Sequence, residues 1–230
     1  MTKNKLLKML NVNLTQLEEI KSAVAEAEKN TSGEIALTAA AQSDTYVFVE
    51  LFVSLCAAFV SFFILVLFSN SIWRILEHTV WFPTPSQLTA VIGTGSALVV
   101  FILYLIMNIP AIDRLIIPSK LKTRRVYERA LRRFVESGVY KTAEHAGILI
   151  FISVLERKVF VIADEGINGK VRQSEWNKIC ALITSGLKSK RTAEALISAV
   201  KECGRILHEH FPNKGPNLNE LPDGLVLLER

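Results

Sequence analysis

Two long apolar runs lie inside the chain rather than at its ends, and they restrict the fold more than any other feature. Residues Val47 to Phe68 read VFVELFVSLCAAFVSFFILVLF, with Glu50 as the only strongly polar member. About 22 residues at 1.5 Å each cover about 33 Å, enough to cross a hydrocarbon layer of about 30 Å. A buried core helix is the competing explanation, but large apolar residues around every face favour a membrane span. The second run, Leu88 to Ile109, is diluted by Gly93, Thr94, Gly95 and Ser96. Small residues of this kind let two helices approach closely, so the runs are expected to form a hairpin. Near one end of its span, Glu50 is expected at the interface or against the second helix, because a carboxylate facing lipid is costly.

The segment between the runs, Ser69 to Gln87, carries Trp73, Trp81 and Phe82. Such aromatics favour the headgroup layer. Ile72, Leu76 and Val80 recur every four residues, so part of this loop is expected to lie flat on the membrane. Its one arginine is Arg74, whereas Arg114, Lys120, Lys122, Arg124, Arg125, Arg129, Arg132 and Arg133 follow the second run. The N-terminal arm adds Lys3, Lys5, Lys8, Lys21 and Lys29. By the positive-inside rule both termini are cytoplasmic and the short loop is outside. The opening MTKNKLLKMLNVNL lacks the apolar stretch of a cleaved signal, and the expected location is the cytoplasmic (inner) membrane of a bacterium.

Composition agrees with a membrane protein that has a modest globular part. Half the residues are apolar and the mean hydropathy is +0.31, which excludes a disordered chain. Three cysteines, at 56, 180 and 203, lack the pairing of a disulfide framework or a zinc site. A cytosolic globular part keeps Cys180 and Cys203 as thiols.

Around the spans the pattern is that of a small α/β unit. Asn13 with Gln16 forms a capping box, and Leu17, Ile20, Val24 and Ala27 mark one face of the helix that follows. Asn30 to Gly33 ends it, and Glu34 begins a short strand. One helix and one strand bury too little apolar surface alone, so their partners must lie beyond the spans. A basic helix runs from after Pro118 to about Ser137, with Val126, Ala130 and Phe134 inward and Gly138 as its C-terminal cap. GILIFISV, residues 147–154, reads as a central strand. KVFVIA, 158–163, pairs with it through a tight link at Glu156 and Arg157. Residues 164–169 form a loop in which Gly166 can supply positive φ. Ser174 caps a helix with Trp176, Ile179, Ile183 and Leu187 inward. Thr192 caps the next, with Leu196, Val200, Cys203 and Leu207 inward. The tail from Asn213 reads as irregular.

The expected organisation is a split α/β domain: residues 1–46, a transmembrane hairpin at 47–110, the remainder of the domain at 111–212, and a tail at 213–230. Two crossings return the chain to one side, so both parts can share a core. The first strand then runs toward the bilayer and the second runs parallel to it, with the third antiparallel. Arg157 and Lys158 would face the headgroups. Glu34, Asp164, Glu165 and Asn168 would collect at the opposite, cytosolic edge of the sheet.

At these residues the sequence resembles a known family. Glu28-Lys-Asn-Thr31-Ser-Gly-Glu34-Ile, the run Gly147 to Val159, and Ala163-Asp164-Glu165-Gly166-Ile167 are similar to a TPM domain. The similarity continues through Trp176 and Gly204-Arg-Ile-Leu-His-Glu-His-Phe-Pro212 to Asn219-Glu-Leu-Pro-Asp223. The resemblance implies an α/β/α sandwich with a mixed sheet. It also implies acid phosphatase activity and calcium binding in a photosynthetic branch, and accessory or assembly roles at membranes in others. Many members carry the domain across the membrane behind a signal and one anchor, whereas here the spans interrupt it.

Chemistry is expected at the acidic edge if anywhere. Calcium takes several oxygen ligands, which Glu34, Asp164, Glu165 and Asn168 could supply in part. A bound cation there could polarise a phosphoryl oxygen, making Glu34 and Asp164 the catalytic candidates of a phosphatase-like hydrolase. Ordinary turn chemistry explains the same Asp-Glu-Gly run. His208 and His210 point to different faces of a helix, and His145 reads as a loop residue. Residues 166–170 do not have the spacing of a phosphate-binding loop, and no nucleophile elbow appears. The basic helix Lys120 to Arg133 is expected against anionic headgroups, each cation contributing about 1 kcal/mol. No nucleic-acid motif accompanies it. The leading expectation is therefore an accessory domain acting through a membrane-protein partner or its own copies. A metal-dependent phosphohydrolase is the alternative.

Overall fold

A computed structural model describes residues 2–107, 116–142, 144–213 and 224–228. Arg114 and the Asn219 to Asp223 segment fall outside these residues. Two compact units emerge: residues 1–44 together with 119–230, and residues 45–118.

The first unit is built on a four-stranded sheet, β1 (Glu34–Ala40), β2 (Gly147–Ser153), β3 (Lys158–Ala163) and β4 (Leu225–Leu228), in the order β3-β2-β1-β4. β1 and β2 are parallel, with Glu34 opposite Gly147 and Ala40 opposite Ser153. β3 returns antiparallel to β2, as the connection lengths require. β4 was not expected: it adds parallel to the free edge of β1, with Leu37 opposite Leu225. Four residues inside a tail rich in Pro, Gly and Asn carry almost no strand signal of their own.

Side-chain alternation sends the sheet into two cores. Ile35, Leu37, Ile148, Ile150 and Ile152 face the larger one. It is covered by α1 (Lys3–Leu10), α2 (Leu14–Glu28), and the two long helices Gln173–Lys188 and Thr192–His210. Leu149 and Phe151 face the smaller core, beneath the helix Ser119–Ser137 through Val126, Ala130 and Phe134. Between β2 and its covering helices β2 is buried at all seven positions, matching its uninterrupted apolar run. The result is the expected α/β/α sandwich with a mixed sheet.

The caps correct the sequence reading in detail. Asn13 and Gln16 make the full capping box, with Gln16 N–H donating to Asn13 Oδ1 at 2.7 Å. Gly138 adopts φ 78 just past its helix, as a C-terminal cap should. Ser174 and Thr192 are not caps: Arg172 and Arg191 hold those places, and both hydroxyl residues lie in the first helical turn. Thr192 instead donates its hydroxyl to the Leu10 carbonyl and so fastens its helix to α1. That first helix was missed because its lysines hide a two-residue contact face, Leu6 and Leu10, each 1% exposed.

The second unit holds α3 (Val47–Leu67), α4 (Ser69–Thr79) and α5 (Pro85–Met107). α3 and α5 are both long and apolar enough to cross a membrane, and only 6% of each apolar window is buried. They pack antiparallel, since the start of α3 lines a groove with the end of α5. Near the other end Gly95 lies close under Leu65, where an added Cβ would come within 3.1 Å of its Cδ1. Gly93 has nothing comparable nearby. The loop expected to lie flat is the helix α4, which buries none of its residues. In chain order the α-helices among the described residues beyond α5 are α6 (Ser119–Ser137), the single turn α7 (Glu165–Asn168), α8 (Gln173–Lys188) and α9 (Thr192–His210).

Candidate functional site

The sheet end where β1 and β2 start and β3 finishes gathers the residues singled out from the sequence. Glu34 lies opposite Gly147, and the Asp164 N–H donates to the Gly147 carbonyl at 2.9 Å. Glu34 and Asp164 therefore flank one glycine from either side, on the same face of the sheet. Two strand spacings separate their backbones, about 9–10 Å. The space above Gly147 belongs to the Val139 carbonyl, which an added Cβ would approach to 1.9 Å. No other residue type fits at 147.

Glu34 is only 3% exposed, so the first residue of β1 is not a solvated strand end. Asp164 is the N-cap of α7, accepting from Glu165 N–H at 2.8 Å through Oδ1. Its Oδ2 lies 3.4 Å from His145 Nδ1. Asp164 is 13% exposed at the side chain and His145 is 69% exposed. Glu165 and Asn168 both point to solvent. The residues 164–169 thus contain a helical turn, not an irregular loop. Gly166 has no positive φ; its missing side chain lets α7 press on the Glu144 and His145 carbonyls, both 2.6 Å from an ideal Cβ.

His145 is the group that sequence reasoning passed over. It holds φ 50, in the left-handed region that histidine visits several-fold more readily than most residues. That turn aims its ring at Asp164. Beside it, Glu144 accepts from Ser32 Oγ at 2.8 Å. The only early signal was its position two residues before a buried strand.

Does this end fit calcium? Such an ion takes six to eight oxygens at 2.3–2.6 Å. Among the described residues no three His, Cys, Asp or Glu side chains converge to hold a metal. Asp164 already serves as a cap and as the partner of His145, while Glu34 is buried two strands away. The donor set as arranged does not fit the ion, and no chemical step follows through one. His208 is separately engaged, its Nδ1 meeting the Asn30 carbonyl at 3.0 Å, while at His210 the backbone carbonyl, not the ring, accepts from Lys170 Nζ at 3.4 Å.

A second polar cluster, unanticipated, sits where β1 leaves the sheet. Glu156 is 5% exposed and accepts from the Ser43 N–H at 2.9 Å and from the Ser153 hydroxyl. The Ser43 and Ser153 hydroxyls lie 2.8 Å apart. Arg125 of α6 bonds Asp44 at 3.0 Å. The chain is thus tied down just before it enters the second unit.

In the second unit the groove between α3 and α5 has a volume of about 380 Å³, lined by Glu50, Ser54 and Tyr104 among apolar side chains. Glu50 lines this groove beside the second helix, one of the two places expected for it.

Residues 113–206 match the model of the TPM domain family, named TPM phosphatase. This covers less than half of the chain and begins after the hairpin. Among solved structures, the NMR structure of BA42 protein from the psychrophilic bacteria Bizionia argentinensis sp. nov. superposes over 94% of each chain, with a TM-score of 0.55 and 18% identity. At that identity the likeness is one of fold. No curated protein matches the sequence.

Proposed function

We propose, from the TPM domain matched at residues 113–206, that this chain is a membrane-integral TPM-like protein with an accessory role at the cytoplasmic face of the membrane. The observation that carries this reading is the insertion itself. Two helices of 21 and 23 residues interrupt the domain between β1 and β2 and leave their apolar surfaces unburied. A water-exposed surface of that size is not sustainable, and lipid is the solvent that suits it. The charge asymmetry supports cytoplasmic termini, and the basic α6 supports contact with anionic headgroups. A membrane protein, or a second copy of the chain, is then the natural partner.

Expression in a bacterial host tests this directly. The protein should stay in the membrane pellet after carbonate washing. A cysteine introduced at Thr84 should react with a membrane-impermeant maleimide in intact cells, whereas one at Arg230 should react only after lysis. Release by carbonate, or labelling at the C-terminus from outside, would reject the reading.

A second reading rests on the His145–Asp164 contact. A carboxylate behind a histidine is the arrangement that orients a general base, so hydrolysis of phosphate esters at this sheet end is the rival. Phosphate release from a generic ester, abolished by Asp164→Asn, would favour it. Purified protein that shows no turnover with or without added calcium would reject it.

A further inference from the structure

The exposed side of α6 is unlike a solvated helix face. Seven basic residues against two acidic ones line this helix, and none of the acids lies in its first turn. Its inner stripe, Val126, Ala130 and Phe134, is committed to the smaller core. On the flank toward β3, however, Tyr127 is 46% exposed and its ring meets Phe160 at 5.6 Å between centroids. Leu131 and Val135 continue that flank at intervals of four, also exposed. The floor formed by Tyr127 and Phe160 opens into a groove of about 480 Å³, whose rim is Ser119, Lys120, Thr123 and Arg124. Polar rim and apolar floor therefore separate along one helix turn.

We propose that this groove binds one anionic glycerophospholipid, its phosphate at Lys120 and Arg124 and the start of an acyl chain on Tyr127 and Phe160. Charge complementarity argues for this occupant. The first turn of a helix attracts anions through its unpaired N–H groups, and here it adds two cations. Arg124 spends its Nε on Glu128, at 2.8 Å. Its terminal nitrogens remain to meet a phosphate, since a guanidinium has five N–H donors. Thr123 donates its hydroxyl to the Ser119 carbonyl at 2.9 Å, so it shapes the rim without serving as a donor to the ligand. The volume lies in the range of small-molecule pockets. The chain supplies continuity as well, because α6 begins twelve residues after α5 ends. The inference rests on the membrane reading above, since lipid must be at hand.

The test uses the full chain purified in mild detergent and native mass spectrometry with equimolar phosphatidylglycerol and phosphatidylcholine. The wild type should retain one phosphatidylglycerol at least tenfold in preference to phosphatidylcholine. The double variant Lys120→Glu/Arg124→Glu alters two exposed side chains and should lose that preference. Lys188→Glu/Lys201→Glu, an equal change of charge on α8 and α9, should keep it. Tyr127→Gln should weaken retention of phosphatidylglycerol several-fold. Inorganic phosphate should not compete below millimolar concentration. Equal retention by the α6 variant and its control, or displacement by micromolar phosphate, would overturn the proposal. Carbonate washing of the same proteins separates the two readings. Wild type that stays in the pellet without lipid preference defeats only the groove, and release by carbonate defeats the membrane reading whichever way lipid retention falls.

Discussion

Burial pushes the Cys203 thiol up to about 12, with the Glu202 charge adding to the effect. Its neighbour Cys180 is raised too, mainly by burial. In the unfolded chain such a thiol ionises near 8.5. Between those values the unfolded state has released a proton that the native state retains, so stability falls as pH rises. The contribution is intact below pH 8 and erodes by about 1.4 kcal/mol per unit above 8.5. Thermal unfolding in detergent should show the wild type losing about 2 kcal/mol more between pH 8 and pH 10 than Cys203→Ala loses. Identical losses would mean that burial does not govern the thiol. The inward placement of Cys203 was legible, because a helix of period 3.6 sets it beside Val200 and Leu207. The His145–Asp164 contact was not. It depends on a left-handed turn at His145 and on the close approach that Gly166 allows, and neither is encoded in a local periodicity. The same holds for Glu34, whose burial reflects the strand and the 3-10 turn Val139–Lys141 packed beside it rather than its own polarity.

Among the elements, the connection between β2 and β3 does more than reverse the chain. The Val154 and Leu155 N–H groups donate to the Ala40 and Ala41 carbonyls, at 3.0 and 2.9 Å, extending the parallel pairing beyond the strands. Arg157 takes φ 53 to complete the turn. Glu156 then reaches the Ser43 N–H and the Ser153 hydroxyl from a buried position. Removing the carboxylate would leave the part-buried Ser43 N–H without its acceptor and the Ser153 hydroxyl with the Ser43 hydroxyl in its place. Glu156→Ala should therefore cost about 2–3 kcal/mol, and Glu156→Gln, which keeps an acceptor, about half of that. Hydrogen exchange should show the loss at Ser43 and along the start of the hairpin connection; unchanged protection there would contradict the assignment. Strands β1 to β3 and the long helices were readable, because each has a run of at least six residues with a clear period or, in β2, an uninterrupted apolar stretch. Helix α1 and strand β4 were not. With eight and four residues they are too short to be stable alone, and they form because a core is present to receive them.

At the scale of the molecule, the sheet joins residues that the hairpin separates by more than a hundred positions. Glu34 pairs with Gly147 and Ala40 with Ser153, and Thr31 is bridged to Pro212 from the far end of the chain. α2 packs against α9, with an added Cβ at Gly204 only 2.8 Å from the Ala27 Cβ. The domain therefore holds its two halves together by contacts of its own. Its severed ends are close as well. Asp44 is bonded to Arg125, and Arg125 stands six residues into α6, about 9 Å along the axis from Ser119. A flexible Gly/Ser linker of about fourteen residues has an end-to-end distance of about 20 Å, enough for that axial distance together with the reach of the Asp44–Arg125 side chains. Replacing residues 45–118 with such a linker should yield a protein soluble without detergent, with the helix and strand content of the sheet unit retained. Circular dichroism and the amide spectrum would report it, and β1 amides such as Leu37 and Ala39 should be among the slowest to exchange. An insoluble or unstructured product would show that the domain needs the hairpin to fold, so that this apolar insertion is part of the folding unit rather than a passenger within it.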